Sequence, residues 1–153
     1  MYLSGYPAEL YGVLMDKVEW SDKFSVGVPI LDAQHKTLVE MINKLIDTPR
    51  VDSNSAVITD LLDGMIKYAT THFVKEESLM RRHNYPDYAS QKEQHVDFIR
   101  NTAAFCQVEE GTLIVHDFSE SVLLYLRQWW INHILIDDMK YKPFFADKVI
   151  SEE

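Results

Sequence analysis

Histidine and carboxylate side chains occupy positions in this sequence where helical periodicity predicts a buried face. His35 falls four residues after Leu31 and three before Leu38, so it shares their apolar side of a helix. His72 continues a second apolar series, and Glu76 follows it about one turn later on the same side. Both segments therefore direct groups that can bind a metal ion towards a core.

Two later segments repeat this arrangement. Gln91 and His95 lie four residues apart and share one helical face. His133 continues the apolar face of the last predicted helix and is followed by Asp137 and Asp138. Each of the four segments thus directs at least one imidazole inward, and two of them add a carboxylate.

These groups would be costly to bury unless they converge on a cation. A buried carboxylate without a partner costs several kcal/mol, and an unpaired polar group costs about 1–3 kcal/mol. Imidazole binds iron, zinc, copper and nickel, whereas carboxylate suits harder ions. A single inward histidine is usually a hydrogen-bonded core residue. Four histidines with two carboxylates exceed the needs of one tetrahedral zinc, and the joint pattern favours two metal ions bridged by the carboxylates.

Periodicity also predicts the helices that position these groups. They cover about residues 32–47, 55–82, 87–108 and 117–139, and Phe144 and Phe145 form a short final turn that caps the bundle. Short connections favour antiparallel neighbours. We therefore predict an all-α fold, an up-down-up-down antiparallel four-helix bundle over residues 30–145. Residues 1–29 form an N-terminal arm of the same single domain, which covers residues 1–153.

Composition narrows the classes of partner. The 153 residues are 46% hydrophobic and carry a net charge of −9, which argues against a nucleic-acid or anionic-membrane partner. No apolar run approaches the roughly 18 residues of a membrane-spanning helix, and we expect no signal peptide. A single cysteine, Cys106, excludes an internal disulfide and a cysteine metal cage, and we predict that it is a small buried side chain. These features predict a cytoplasmic protein.

At this point the sequence resembles the hemerythrin family, in particular its single-domain bacterial members. The resemblance covers about residues 18–145. The matching segments are Trp20–Val28, Leu31–Lys36, His72–Met80, Tyr85-Pro86, His95 with Phe98, and Trp129–Ile134 followed by Asp138. The family fold is the four-helix bundle that the periodicity already predicts.

The resemblance implies a non-haem di-iron centre, oxo- or hydroxo-bridged, that binds dioxygen for storage, delivery or sensing. The implied metal-binding residues are His35 and His72 on one iron, His95 and His133 on the other, and Glu76 and Asp138 as bridges. Helical spacing alone favours Asp137 as the second bridging carboxylate, because it follows His133 by four residues and shares its helical face. The choice of Asp138 follows from the resemblance.

Gln91 departs from the family pattern, which has a histidine at this position. Three outcomes are open: the amide oxygen ligates weakly, water fills the position with Gln91 hydrogen-bonded to it, or the ion at that position binds less tightly. The first two leave a di-metal centre in which both irons are open to outside ligands. That arrangement predicts faster autoxidation, or reactivity with peroxide or nitric oxide.

The apolar pocket for a small diatomic ligand is predicted to involve Trp129, Trp130 and Ile134, which the resemblance places beside His133. Trp130 would narrow this pocket, since the family more often has an aliphatic residue there. The alternative is that the tryptophans only fill the core.

Three function classes follow. The first is a non-enzymatic dioxygen-binding protein, and the second is a peroxide-reactive enzyme or a redox sensor of nitric oxide or oxygen. The third is a degenerate bundle that serves only as an interaction module. This class is disfavoured because six of the seven expected metal-binding residues are intact. Ferritin-like carboxylate oxidases fit less well, because they use Glu-x-x-His pairs and this sequence has none.

Overall fold

The computed structural model describes residues 16–48, 56–109, 112–115 and 120–151. Its helical elements are a 3-10 turn at Asp22–Phe24, α1 (Pro29–Asp47), α2 (Ala56–Arg82), α3 (Tyr88–Ala103), α4 (Glu120–Asn132), a π-helical turn at His133–Asp137, a 3-10 turn at Asp138–Lys140 and α5 (Lys142–Phe145). Two short strands, β1 (Cys106–Glu109) and β2 (Thr112–Val115), lie between α3 and α4.

The four long helices form the all-α bundle that periodicity predicted. Helix α1 packs against α2 and α4, and α2 also packs against α3. The antiparallel course of α2 and α3 is visible in two contacts. Glu77 contacts His95, while Phe73, one turn earlier in α2, contacts Phe98, about one turn later in α3. Asn84 makes the reversal between these helices with a left-handed φ of 57°, which asparagine tolerates better than most residues.

Helix α1 begins earlier than the predicted position near Asp32. Pro29 occupies its first turn, where a missing N–H costs nothing. The Asp32 carboxylate accepts hydrogen bonds from the Ser25 hydroxyl at 2.6 Å and from the Val26 N–H at 2.8 Å. Asp32 therefore fastens the preceding segment to the helix.

The described part of the arm, residues 16–28, packs along the bundle. The Val18 N–H donates to Asn43 Oδ1 at 2.8 Å, and Val26 and Val28 are buried. Residues 1–15 of the predicted arm lie outside the described residues. The predicted final turn is present as α5, where Phe145 is buried in a cluster that includes Val26, Val28 and Tyr141.

The prediction for the end of the third helix was wrong. Helix α3 ends at Ala103 rather than near Val108, and β1 pairs antiparallel with β2, with Cys106 opposite Val115. All four residues of β2 are β-branched or apolar, and Gly111 is part of the sequence that connects the two strands. Cys106 is partly exposed rather than buried. The predicted starts of the second and fourth helices, near Ser55 and Asp117, lie outside the described residues.

Among the residues that the structure describes, no helix combines the length and apolar character needed to cross a membrane.

Candidate metal centre

Four histidines, one from each long helix or its direct continuation, meet in the middle of the bundle. Each is at most 2% exposed. They form two pairs: Nε2 of His35 lies 3.1 Å from Nε2 of His72, and Nε2 of His95 lies 3.1 Å from Nε2 of His133. Two ring nitrogens this close repel each other unless a proton or a cation lies between them.

Asp138 contacts one histidine of each pair. Its Oδ2 lies 3.3 Å from Nε2 of His35, and its Oδ1 lies 3.1 Å from Nε2 of His133. Burial raises the pKa of the Asp138 carboxyl, but the charges and contacts of His133 and His35 outweigh burial and hold that pKa well below its usual range. Asp138 is therefore a buried carboxylate placed between the two histidine pairs.

Glu76 makes the matching contact from α2. Its Oε2 lies 3.1 Å from Nε2 of His95 and 3.7 Å from Nε2 of His72. Its other oxygen, Oε1, accepts a 2.5 Å hydrogen bond from the Tyr141 hydroxyl. Both residues are fully buried, and burial raises the pKa of Tyr141 well above its ordinary value. Tyr141 thus holds Glu76 in position as a hydrogen-bond donor.

The donor atoms form two overlapping groups with the spacing of metal ligands. One consists of His35, His72, Glu76 and Asp138, and the other of Glu76, His95 and His133. Within each group the candidate atoms all lie within 4.8 Å of one another. Because Glu76 belongs to both groups, the arrangement fits two ions that share a carboxylate.

Unpartnered oxygen atoms support this fit. Oε2 of Glu76 and both carboxylate oxygens of Asp138 are buried, and their contacts with the imidazoles lack hydrogen-bond geometry. Such carboxylate atoms normally have a hydrogen-bond partner, and each missing partner costs free energy. A cation bound among the rings would satisfy these oxygen atoms. The residues present therefore fit a metal pair.

The outer nitrogens of the rings are held by side chains of neighbouring helices. The Nδ1–H of His72 donates to Gln34 Oε1 at 2.8 Å, and the Nδ1–H of His133 donates to Gln94 Oε1 at 3.0 Å. A proton on Nδ1 leaves the Nε2 lone pair free to bind a metal. Gln34 and Gln94 therefore select the ring tautomer that metal binding requires.

The remaining two rings differ from each other. Nδ1 of His95 lies 2.9 Å from Glu77 Oε1, a carboxylate partner that makes an imidazole a stronger donor. Nδ1 of His35 is buried and has no hydrogen-bond partner among the described residues.

Protonation also distinguishes the rings. Burial lowers the pKa of His35, but the contact with Asp138 outweighs burial and the net shift is upward. The pKa of His95 is raised in the same way, with Glu76 opposing burial. Burial lowers the pKa of His72 well below its ordinary value. Metal binding would therefore compete with protons more strongly at His35 and His95 than at His72.

A π-helical turn explains why Asp138 rather than Asp137 enters the centre. The Asp138 N–H donates to the His133 carbonyl, so the turn closes over five residues instead of four. The Asp137 carboxylate lies on the outer side of the His133 ring, where its Oδ2 is 4.0 Å from Nδ1 and its Oδ1 accepts a 2.8 Å hydrogen bond from Lys140. Strict α-helical spacing would have selected Asp137, which belongs to neither group of candidate ligands.

Gln91 is 3% exposed and lies beside the same turn. Its Nε2 donates to the carbonyl oxygen of Asp137 at 3.0 Å. Its Oε1 is buried without a hydrogen-bond partner. The NH₂ group of the Gln91 amide is thus hydrogen-bonded, whereas its oxygen is free to accept a hydrogen bond or to bind an ion.

Aromatic rings enclose the histidines. Phe73 stacks on His95 with centroids 4.0 Å apart, and Trp129 stacks on His133 at 4.4 Å. Trp130 is fully buried, with its ring 6.0 Å from that of His72. Ile134, the third predicted pocket residue, is buried in the same apolar cluster as Trp130 and Phe73.

The sequence contains two other histidines, His83 and His116. His83 contacts the edge of Phe145 near the end of the bundle, away from the centre. His116 lies outside the described residues.

Sequence reasoning missed the supporting residues Gln34, Glu77, Gln94 and Tyr141. A signal exists for two of them, because a glutamine directly precedes both His35 and His95. Glu77 and Tyr141 have no comparable signal, since their contacts depend on how distant segments pack.

Comparison with known proteins defines the class. The family described as "Hemerythrin HHE cation binding domain" matches residues 26–145. The chain therefore belongs to the hemerythrin family, and its buried cluster of histidines and carboxylates fits a site for metal cations.

Individual relatives agree with this assignment. A bacteriohemerythrin of Stenotrophomonas maltophilia is 31% identical over 131 residues, which are 85% of this chain and 80% of the relative. A bacteriohemerythrin of Methylococcus capsulatus is 33% identical over 121 residues, or 79% of this chain and 90% of the relative. A solved wild-type hemerythrin has a TM-score of 0.66 at 29% identity, covering 84% of this chain and 97% of its own.

Proposed function

We propose that this chain is a non-haem di-iron protein that binds dioxygen for storage, delivery or sensing. The observation that carries the proposal is the sharing of two carboxylates between two histidine pairs. Asp138 contacts His35 and His133, and Glu76 contacts His72 and His95. A mixed imidazole and carboxylate donor set suits iron.

In this proposal His35 and His72 would hold one iron, His95 and His133 would hold the other, and Glu76 and Asp138 would be shared by both. When bound, a ferrous pair supplies the two electrons that reversible dioxygen binding requires. The chain's own contribution is to fix the rings and exclude water. Gln34 and Gln94 orient two imidazoles, while Phe73, Trp129 and Trp130 surround the centre with apolar surface.

The pocket for the diatomic ligand is proposed to lie among Trp129, Trp130 and Ile134. A ring stacked on His133 and two fully buried apolar side chains suit a small neutral ligand. They also disfavour water and free protons, which promote irreversible oxidation of the metal.

Gln91 supports a second candidate function, a site that reacts with peroxide or nitric oxide. Its unpartnered Oε1 can ligate an ion weakly or accept a hydrogen bond from a bound water. Either arrangement replaces an imidazole with a more readily exchanged ligand. The His95 and His133 side of the pair would then be open to outside molecules.

One experiment separates these functions. Metal-free protein is loaded anaerobically with ferrous iron and then cycled between air and argon while the visible spectrum is recorded. Two irons per chain and colour that appears in air and disappears under argon would support dioxygen binding. Immediate irreversible oxidation with consumption of added peroxide would support the second function. Protein that binds no iron would contradict both and favour the interaction module.

The cytoplasm is the proposed location, because a chain with the single cysteine Cys106 suits a reducing compartment.

A further inference from the structure

A small polar pocket lies directly beside Gln91, between the start of α3 and the π-helical turn. Its volume is about 170 Å³. The residues that matter to its chemistry are Asp87, Gln91, Gln94, Asp137 and Lys140. The pocket therefore adjoins the one position where this chain departs from the histidine pattern of its family.

The charges at the pocket favour a cation. Asp87 is exposed, and the Asp137 carboxylate is held by the Lys140 ammonium at 2.8 Å. Two carboxylates and one ammonium leave one formal negative charge. Negative charge around a small opening raises the local concentration of cations and their rate of association.

Two of the residues that line the pocket, Gln91 and Gln94, lie beside the metal centre. Gln91 is 3% exposed and has an Oε1 without a hydrogen-bond partner. Gln94 accepts a hydrogen bond from Nδ1 of His133 at 3.0 Å. An oxygen acceptor that is buried but unsatisfied is a suitable first contact for an ion that is losing its water shell.

A second opening reaches the centre from another side and has the opposite character. It is a groove of about 340 Å³ between α2 and α3, and most of its surface is apolar. Its lining residues are Thr70, Phe73, Val74, Glu77, His95, Val96, Ile99 and Arg100. Glu77 is the one carboxylate among its lining residues, and it is already paired with Nδ1 of His95 at 2.9 Å. A hydrated divalent ion would therefore give up water there with few replacement ligands, which is costly. The pocket beside Gln91 offers more polar groups to replace that water.

We propose that the polar pocket is the route by which a hydrated divalent metal ion enters the His95 and His133 side of the centre. Asp87 attracts the ion at the mouth, and Gln91 Oε1 receives it at the inner end. Lys140 opposes this attraction by neutralising Asp137. The inference rests on the proposed metal pair and adds to it a path for loading.

The test measures the rate at which the metal-free full-length chain takes up Co²⁺, followed by stopped-flow absorbance of the bound ion. Asp87→Asn removes the attracting charge and should slow uptake about threefold at low ionic strength, and Lys140→Gln should accelerate it by a similar factor. Asp87 directly precedes α3, and its side chain makes no capping hydrogen bond to the helix. Replacing it with asparagine should therefore leave the helix intact. Added salt should shrink both effects.

Glu93→Gln is the matched control, because Glu93 is an exposed carboxylate on the same helix but does not line the pocket. Its uptake rate should equal that of the unaltered chain, and all proteins should bind the same final number of ions. Equal rates in all variants with normal final binding would overturn the entry route alone. A chain that binds neither Co²⁺ nor Fe²⁺ would overturn the proposed function together with it.

Discussion

Oδ1 of Asp138 lies 3.1 Å from Nε2 of His133, although the two residues are five positions apart in sequence. In a regular α-helix each residue turns by about 100°, so a side chain five positions on points well away from the first. The π-helical turn absorbs the extra residue and returns Asp138 to the face of His133. Such turns occur frequently at functional sites.

The first prediction contrasts the two adjacent aspartates. Asp138→Asn removes a buried charge shared by two histidine pairs, and we expect it to weaken metal binding by at least about tenfold, as loss of even supporting contacts does. Asp137→Asn should reduce the final affinity much less, because its carboxylate pairs with Lys140 and lies 4.0 Å from the outer nitrogen, Nδ1, of His133. Equilibrium metal titration of both variants provides the comparison. Equal losses in the two would contradict the role given to the π-helical turn.

The second prediction concerns the glutamines that hold the rings. Gln34→Leu and Gln94→Leu each remove the acceptor for an Nδ1–H, of His72 and His133 respectively. We expect metal affinity to fall by about 10- to 100-fold in each variant. Gln128→Leu is the control, since Gln128 is a partly exposed glutamine of α4 with no described contact to the site. If the control loses as much affinity as the other two, ring orientation is not the cause.

The third prediction concerns the stability of the metal-free protein. Tyr141→Phe removes the donor to Glu76 Oε1 and leaves a buried carboxylate oxygen unpaired. The free energy of unfolding should fall by about 1–3 kcal/mol in urea denaturation. Tyr68→Phe, at a partly buried tyrosine outside the centre, should change it by less than about 0.5 kcal/mol. A Tyr141→Phe protein as stable as the control would show that the hydroxyl does not support Glu76.

Sequence patterns predicted the bundle because burial of an apolar stripe dominates helix packing, and the stripes of α1 and α2 are regular. They located the four histidines and Glu76 for the same reason, since these residues interrupt or continue the apolar stripes. Asp138 came from the family resemblance, because helical spacing alone favoured Asp137. The hairpin was missed because helical periodicity runs on past Ala103, whereas pairing between residues 106–109 and 112–115 depends on two segments meeting. The contact of Tyr141 with Glu76 likewise depends on where α5 packs, which no local pattern encodes.

The fourth prediction restores the imidazole that the family pattern expects. Gln91→His adds a third ring to the His95 and His133 side of the centre, where we expect about tenfold tighter metal retention. It should also lengthen the lifetime of the oxygenated form, because fewer positions remain for outside ligands. Absorbance decay in air of the loaded protein measures this lifetime. An unchanged lifetime would refute the idea that Gln91 opens the centre.

The central claim is that the buried histidines and carboxylates share two metal ions. Anomalous X-ray diffraction from crystals of the iron-loaded chain, collected at the iron absorption edge, tests it most directly. We expect two peaks, one beside His35 and His72 and one beside His95 and His133, with Glu76 and Asp138 between them. A single peak, or peaks only at surface carboxylates, would contradict it.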